Sequence, residues 1–294
     1  MTERGLIITA DDFGLSREVN EAVEEAHRNG VLTCASLMVT APEAADAVRR
    51  AARMPSLGVG LHLALLDAPS ARPASEIPDL VPLGLGSLGR RPVRLGVAMA
   101  LSRKVRAQVR AEMGAQLELF ARTGLPMDHV NGHWHFHQHP VVIDLLAGPF
   151  ASRFTVGSVR APCEPIWRSW RAGGRRALLR RAGVSLKYRM IWQLSAARRR
   201  ETGLRSNDWF FGLNDAGSAD VERLLGIIRN LPAGITEIGL HPASGPQTGP
   251  FAPSARWRQR QEMEALTDAR VAEACRRVRL GRFSDFLAKG AVAE

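Results

Sequence analysis

The first 65 residues alternate between short apolar runs and amphipathic helical patterns, and this alternation constrains the fold most strongly. Apolar runs at residues 6–8, 33–39 and 57–65 predict buried strands. The patterns at residues 16–30 and 42–53 predict helices between them, the first with a serine N-cap and a glycine stop. Strands that alternate with helices pair in parallel through right-handed crossovers. The sequence therefore predicts an α/β fold around a parallel sheet.

The same kinds of pattern continue along the chain. Residues 127–130, 158–161 and 236–240 predict further strands, and residues 103–122 and 220–229 predict helices. No internal repeat is visible, so a barrel built from these elements would be irregular. No linker or low-complexity tract divides the 294 residues, and 45% hydrophobic residues can bury a large core. We expect one domain over the whole chain, 1–294.

The start of the chain and its cysteines bear on the cellular compartment. A charged start is followed by only three apolar residues, 6–8, which is too short for the core of a signal peptide. No run of about 20 uncharged apolar residues could span a bilayer. Cys34, Cys163 and Cys275 are far apart and odd in number. These features predict a reducing cytoplasm and no cysteine metal site.

The charge of the chain is strongly basic and unevenly distributed. The formal net charge is +11 and the pI is about 11.0, which implies attraction to nucleic acid, to an acidic membrane face, or to nothing beyond solvent. No acidic residue occurs at 80–111 or at 165–200. The second stretch also carries aromatic side chains, namely Trp167, Trp170, Tyr188 and Trp192.

Two adjacent aspartates, Asp11 and Asp12, follow the apolar run at residues 6–8. In parallel α/β folds, the edge where strands end is the edge where ligands bind. A single aspartate at this position could equally cap a turn before a helix. Two carboxylates beside a buried strand must both be desolvated or paired, and this favours a functional site.

His62 lies in an alternating pattern at residues 58–65. The period of two places large apolar side chains on one face, and His62 on the other with Gly58, Gly60 and Ala64. An imidazole among such small residues has room for a ligand or an ion beside it. The alternative is a hydrogen-bonded histidine of the core.

Residues 128–140 hold the densest histidine cluster, with histidines at 129, 133, 135, 137 and 139. In an extended chain, alternate histidines would share one face about 6.6 Å apart, too far for all of them to bind one ion. We expect one metal ligand here, with the others lining the pocket or bonding to neighbours. A solvated histidine-rich loop is the alternative.

His241 follows the apolar run at residues 238–240 and precedes Pro242, so it also ends a predicted strand. A histidine at this edge can act as a general acid. One aspartate with two histidines leaves metal positions open for water and substrate, as hydrolytic sites require. The second aspartate is then available as a base.

These motifs, taken in order, resemble those of the YdjC-like carbohydrate deacetylases. The resemblance rests on Thr9-Ala10-Asp11-Asp12-Phe13-Gly14, Gly60-Leu61-His62-Leu63, the cluster around His133, and Leu240-His241-Pro242-Ala243. Further segments, 130–133, 160–162, 204–208 and 211–213, resemble the hopanoid-biosynthesis-associated branch of that family. Many members have Asp-Ser-His-His-His where this chain has Asn131-Gly132-His133-Trp134-His135, a difference that favours this branch.

The resemblance implies a single irregular, TIM-like (β/α) barrel with a basic helical insertion at about residues 165–201. It implies one divalent metal ion held by Asp12, His62 and His133, and zinc suits these ligands best, with magnesium as the alternative. Asp11 would be the general base and His241 the general acid. Arg160 would orient Asp11, and substrate would meet Trp134, His135 and His137.

The branch resemblance implies removal of the acetyl group from N-acetylglucosaminyl bacteriohopanetetrol, a membrane glycolipid. The alternatives are a deacetylase of chitooligosaccharides or another N-acetyl sugar, and a metal-dependent phosphoesterase. We expect no specific nucleic-acid partner, and the sequence does not indicate an oligomeric state. A cytoplasmic enzyme acting on such a lipid would dock on the anionic inner face of the membrane, and the basic segment from Trp167 to Arg200 fits docking. The alternative is a helix packed on the barrel with a solvated arginine face.

Overall fold

One curled sheet forms the centre of the structure. The computed structural model describes residues 4–173, 178–254 and 256–287. Within these residues the strands are β1 (Arg4–Phe13), β2 (Cys34–Leu37), β3 (Gly58–Leu63), β4 (Val130–Gly132), β5 (Trp209–Phe211), β6 (Gly234–Leu240) and β7 (Arg279–Leu280). Every pairing between them is parallel, in the order β4-β3-β2-β1-β6-β5. β7 pairs with the first residues of β1.

Two isolated bridges connect the edges of this sheet. Val130 of β4 pairs with Val159, and Ser158 pairs with Arg205, four residues before β5 begins. The sheet therefore curls into an irregular barrel, as the sequence predicts. We use the name seam for this narrow junction, residues 158–160 and 205.

Helices surround the sheet. They are α1 (Arg17–Arg28), α2 (Ala44–Ala51), α3 (Pro92–Leu101), α4 (Arg103–Arg122), α5 (Pro140–Ala147), α6 (Ala151–Phe154), α7 (Ile166–Arg171), α8 (Leu178–Gln193), α9 (Ala196–Thr202), α10 (Val221–Arg229), α11 (Gln259–Thr267), α12 (Ala269–Cys275) and α13 (Phe283–Leu287). A 3-10 helix, His133–Gln138, follows β4 directly. The basic insertion consists of α7, α8 and α9. None of the helices in the described part of the chain combines the length and apolarity needed to cross a bilayer.

α1 shows how local sequence produces these elements. The Ser16 side chain accepts a hydrogen bond from the backbone N–H of Val19, which confirms the predicted N-cap. The buried residues of the helix recur at helical spacing and face the sheet. The helix ends at Arg28 with Asn29 as its C-cap, so it stops directly before Gly30, where the sequence predicts its end. A Cβ at Gly30 would clash with the carbonyl oxygen of Leu266 on α11.

Three strand predictions differ from the structure. The strand predicted at residues 127–130 begins only at its last residue, because β4 runs from Val130 to Gly132. β1 does not end before the aspartate pair but continues to Phe13, through a register shift against β2 between Ala10 and Phe13. The predicted strand at residues 158–161 is reduced to the two bridges of the seam. There the Asn207 side chain bonds to both the N–H and the carbonyl of Ala161, so a side chain satisfies groups that a strand partner would otherwise pair.

Candidate active site

The side chains singled out from the sequence meet at the carboxyl ends of the strands. Asp11 and Asp12 lie near the end of β1 and His62 lies on β3. His133 begins the 3-10 helix after β4, and His241 directly follows β6. Parallel pairing brings these ends to one edge of the barrel, which is the ligand-binding edge of this class of fold.

The irregularity in β1 gives the two aspartates different neighbours. Asp12 has φ 62°, a left-handed conformation that a non-glycine residue rarely adopts. The Asp11 carboxylate contacts the Arg160 guanidinium, whereas the Asp12 carboxylate contacts His62 and His133. The strained backbone at Asp12 therefore separates two adjacent carboxylates into two different sets of contacts.

Asp12, His62 and His133 offer three ligand atoms that lie within 4.8 Å of one another. Asp12 Oδ1 is 3.3 Å from His62 Nε2 and 3.0 Å from His133 Nδ1. Ligand atoms bonded to one tetrahedral ion at about 2 Å are themselves about 3 to 3.5 Å apart. His62 Nε2 is buried and has no hydrogen-bond partner among the described residues. This set therefore fits a metal ion in both spacing and donor chemistry.

Asn131 fixes which nitrogen His62 offers. Its Nδ2 donates to Asp11 Oδ1 at 2.9 Å and to Ser36 Oγ at 2.7 Å. Because a carboxylate only accepts, this orientation of the amide is set, and Asn131 Oδ1 accepts from His62 Nδ1 at 2.7 Å. The lone pair of the neutral imidazole is consequently on Nε2, the atom beside Asp12.

The hydrogen-bonded chain continues away from the site. Ser36 Oγ is 3.0 Å from His129 Nε2, and His129 Nδ1 is 3.0 Å from Asp128 Oδ2. Asp128 also accepts the backbone N–H of Ser284 at the start of α13. Cys34, Asp128 and His129 form a second group with spacing suited to a metal. Both nitrogens of His129 are already hydrogen-bonded, so we interpret this group as support for Asn131.

Arg160 is fully buried between two carboxylates. Its Nη1 donates to Asp11 Oδ2 at 2.6 Å and its Nη2 to Asp11 Oδ1 at 2.9 Å. On its other side, Nη2 donates to Glu237 Oε1 at 2.7 Å. The guanidinium carbon lies 4.7 Å from the centre of the Phe210 ring. Arg160 thus holds Asp11 in one orientation.

Buried charges in this cluster do not balance. Three buried carboxylates, those of Asp11, Asp12 and Glu237, face the single buried guanidinium of Arg160, which leaves two excess negative charges. A divalent cation would neutralise them. The same excess acts on His62: burial disfavours its charged form, but Asp11 and Asp12 outweigh burial and raise its pKa.

The two aspartates are strongly acidic. Burial favours the neutral form of Asp11, yet the Arg160 guanidinium and the imidazole of His62 prevail and hold its pKa well below its usual range. Burial opposes ionisation of Asp12 as well, and its pKa is lowered mainly by His133. Both side chains are therefore carboxylates at neutral pH.

His241 stands beside Asp11. Its Nε2 is 4.0 Å from Asp11 Oδ2, and its ring centre is 4.8 Å from that of Trp257 in an edge-to-face contact. Its backbone N–H donates to Glu262 at 2.6 Å. Burial lowers the pKa of His241, so its ring is neutral at pH 7. A neutral imidazole can first accept a proton and then donate it.

The 3-10 helix separates the three residues expected to meet substrate. Trp134 and His135 have φ 57° and 53°, so the alternation of an extended chain does not apply here. Trp134 is 52% exposed, and the His135 ring packs on Tyr188 and Phe210. His137 is fully buried with Nε2 3.0 Å from the Arg160 carbonyl oxygen, so it offers no surface to a substrate in this structure.

Sequence reasoning missed several residues of this site. Ser36 and Glu237 are polar positions inside otherwise apolar strands, and that pattern is a usable signal because buried polar groups need partners. Trp257 and Glu262 come from segments with no recognisable motif, and only the fold places them beside His241.

The sequence of this chain matches the YdjC-like protein family over residues 5–277. The chain belongs to this family. Every residue of the cluster described above lies within the matched range.

Curated relatives in the YdjC-like family include proteins named for deacetylation. A carbohydrate deacetylase from Geobacillus stearothermophilus is 39% identical over 163 residues, 55% of this chain and 60% of that protein. A chitooligosaccharide deacetylase from Proteus mirabilis is 34% identical over 143 residues, 48% of this chain and 53% of that protein. The matches thus span less than two thirds of both relatives. A carbohydrate deacetylase from Mus musculus is 32% identical over 284 residues, 89% of this chain and 87% of that protein.

A solved structure agrees with the fold. A crystal structure from Enterococcus faecalis, described as a candidate cellobiose-phosphate cleavage protein, aligns with 97% of this chain and 100% of its own at a TM-score of 0.72. The sequence identity is 21%, so the likeness concerns the fold alone.

Proposed function

We propose that this protein is a metal-dependent deacetylase that hydrolyses the acetamide of an N-acetylated sugar. The observation that carries the proposal is the pairing of two groups at one edge of the barrel. Asp12, His62 and His133 form a set that fits a metal, and Asp11, held by Arg160, lies beside it with His241 4.0 Å away. The names of the relatives support the same reaction class.

In this proposal, Asp12, His62 and His133 hold the metal ion that activates the substrate. When bound, a divalent metal would polarise water and the acetamide carbonyl, and zinc suits two imidazoles with one carboxylate, with magnesium as the alternative. Asn131 keeps the His62 lone pair directed toward Asp12. The protein thereby supplies a fixed ligand geometry before substrate binds.

Asp11 is the proposed general base. Arg160 bonds to both of its oxygens, so the carboxylate is held in one orientation and would not need to reorganise before it takes a proton from water. Its low pKa means that it holds a proton only briefly. The neutral His241 ring, 4.0 Å from Asp11 Oδ2, can receive that proton.

His241 is the proposed general acid. Water adds to the acetyl carbon, the C–N bond breaks, and the sugar nitrogen leaves as an amine once it has taken a proton from His241. The edge-to-face contact with Trp257 and the backbone hydrogen bond to Glu262 hold this residue in place. Acetate and the free amino sugar are the products.

The finer proposal concerns the substrate. The motifs at residues 160–162 and 204–208 support N-acetylglucosaminyl hopanoid as the acceptor glycolipid. The chitooligosaccharide deacetylase from Proteus mirabilis supports chitooligosaccharides as the second candidate. The two substrates share the reacting group and differ in what lies beyond the sugar.

The test is mass spectrometry of reactions with chitobiose and with N-acetylglucosaminyl hopanoid, seeking loss of one acetyl group. Metal removal by a chelator should abolish turnover, and added zinc should restore it. His62→Ala should lose both metal and activity, whereas His27→Ala, a histidine of α1 bonded to the Leu32 carbonyl, should keep both.

Each result separates one part of the proposal. Deacetylation of chitobiose alone would replace the hopanoid with the second candidate. Equal metal content in wild type and His62→Ala would remove His62 from the ligand set. Release of no acetate from either substrate by metal-loaded protein would overturn the proposed reaction.

A further inference from the structure

In the part of the chain that the structure describes, the large exposed hydrophobic side chains are confined to the two acid-free stretches and the 3-10 helix between them. Among the described residues, eleven large hydrophobic side chains are exposed. Five lie in the stretch 80–111, five in the stretch 165–200, and one on the 3-10 helix; they are Leu83, Leu85, Val93, Val97, Leu101, Trp134, Trp167, Leu179, Leu186, Met190 and Leu194. Exposed apolar groups and missing acidic groups thus coincide along the sequence.

On α8 these side chains form a stripe. Leu179, Leu186 and Met190 recur at helical spacing on one face, and Leu194 extends the stripe just past the last turn. Exposed basic side chains flank it, with Arg180 and Lys187 on one side and Arg189 on the other. An apolar stripe bordered by basic residues can rest on an anionic bilayer, since arginine and lysine stems lie along apolar surface while their charges reach the headgroups.

The opposite face of α8 packs on the protein. Trp192 is buried with the Arg199 guanidinium over its ring, and Arg181 forms an ion pair with Asp215. The docking interpretation of the segment Trp167 to Arg200 would place these side chains on the docking surface, but both pack against the protein. Arg175 and Arg176, also expected there, lie outside the described residues.

α3 carries a second stripe. Val93, Val97 and Leu101 are exposed at spacings of four, while Leu95 and Met99 on the other side of the helix are buried. α3 lies entirely within the acid-free stretch 80–111. Two separate helices therefore present the same combination of apolar face and basic surroundings.

Both helices adjoin the 3-10 helix that begins with His133. A Cβ placed on Gly96 of α3 would lie 3.8 Å from Phe136 Cζ. On the α8 side, the Tyr188 ring centre is 5.5 Å from that of His135. Trp134, next to the proposed metal ligand His133, is exposed on the same 3-10 helix. Both helices that carry a stripe accordingly border the 3-10 helix that begins with the proposed metal ligand His133.

We propose that α3, α8 and Trp134 form a surface that binds an anionic lipid bilayer and brings this edge of the barrel against it. A bilayer offers apolar tails to the stripes and anionic headgroups to their basic borders. A second copy of the chain would place like charges opposite one another, and nucleic acid would leave the stripes without an apolar partner. The inference goes beyond the proposed deacetylation, because lipid binding needs no turnover.

The test is cosedimentation of the full chain with vesicles of phosphatidylcholine alone and with added phosphatidylglycerol. We expect binding to the anionic vesicles that weakens as salt rises. Leu186→Asp with Met190→Asp should lower the partition coefficient by about tenfold or more. Arg180→Glu with Lys187→Glu should lower it by roughly tenfold at low salt.

The matched control is Arg229→Glu with Arg277→Glu, which makes the same change in net charge in a groove lined by Arg4, near the start of β1. These variants should bind vesicles as the wild type does. If both charge-reversed variants lose vesicle binding equally, the effect depends on net charge alone and the proposed surface is overturned. Sedimentation velocity adds a second criterion. If the wild type is a dimer, the Leu186→Asp, Met190→Asp variant is a monomer and neither binds vesicles, the surface is occupied by a second copy of the chain and the lipid proposal is overturned.

Activity on water-soluble chitobiose separates this inference from the proposed function. The Leu186→Asp, Met190→Asp protein should retain wild-type turnover of a soluble substrate while losing vesicle binding. If the protein binds vesicles but releases no acetate, the proposed lipid-binding surface is retained and only the proposed deacetylase activity is overturned.

Discussion

The two sides of the candidate active site differ in how fully their polar atoms are paired. On one side, Arg160 bonds to both Asp11 oxygens and to Glu237, and Asn131 adds a further bond to Asp11. On the other side, His62 Nε2 and His241 Nδ1 are buried with no hydrogen-bond partner among the described residues. We call these the paired side and the unpaired side.

The difference separates positioning from binding. A buried polar atom without a partner costs about 1–3 kcal/mol, so it persists where it serves another purpose such as binding a ligand. A fully paired group is stabilised and held in one orientation. The paired side should therefore control stability and orientation, and the unpaired side should control metal and substrate binding.

Arg160→Met should have the largest effect, because it removes the cation shared by two buried carboxylates. We expect a loss of about 3–5 kcal/mol in the free energy of unfolding, measured by urea denaturation. The control is Arg153→Met, which breaks an exposed ion pair with Glu118 and should cost about 0–1 kcal/mol. Similar losses for the two variants would mean that the paired side does not stabilise the fold as described.

Asp11→Asn and Asp12→Asn test the comparison between neighbouring residues. Asp11→Asn should keep the metal and lose about 10²- to 10⁴-fold in turnover, since it removes a base and no ligand. Asp12→Asn removes a proposed ligand, so this variant should contain less metal than the wild type, as measured by elemental analysis. If Asp11→Asn were fully active with metal bound, another residue would have to take the proton.

Asn131→Ala should have an intermediate effect on metal affinity, because Asn131 bonds to Asp11 on the paired side and to His62 on the unpaired side. Without Asn131 Oδ1, the His62 ring loses the hydrogen bond that directs its lone pair, so metal affinity should fall by about 10- to 100-fold. Isothermal titration with zinc measures this without an activity assay. Asn230→Ala, which removes a bond to the Gly226 carbonyl on α10, is the control and should bind zinc normally.

Glu262 should give the smallest effect, visible as a pH dependence. Burial raises its pKa from 4.5 to about 7, although backbone N–H groups of Ala219 and His241 favour its charge. Between pH 4.5 and 7 the folded protein holds a proton that the unfolded chain has released, so the free energy of unfolding falls as pH rises. Glu262→Gln should flatten this slope in denaturation curves measured across that interval. An unchanged slope would assign the effect to another group, such as His62.

The sequence was sufficient for the parts of the site that follow local patterns. Asp11, His62 and His241 each follow or occupy an apolar run, and parallel strands must bring such positions to one edge. The helices α1, α4 and α10 follow from periodicity and capping, with Asp220 as the N-cap of α10.

The remaining features depend on tertiary contacts. The extension of β1 through Asp12 requires a partner strand and a left-handed residue, neither of which a local pattern encodes. The chain of bonds from Asp128 through His129 and Ser36 joins residues about 90 positions apart in sequence. The inward orientation of Trp192 likewise arises from packing, because the same aromatic residue on a basic helix would also suit a surface.

The seam that completes the barrel also carries the residue that holds the proposed base. Arg160 comes directly after Val159, where single bridges replace a continuous ladder. Segments with few backbone hydrogen bonds open locally at lower free energy than the whole domain unfolds. Amide hydrogens at residues 158–160 should therefore exchange with solvent sooner than those of β1 or β6. Heating should release Asp11 from its fixed orientation while most of the sheet remains intact, so catalytic competence and global folding would have separate thermal limits.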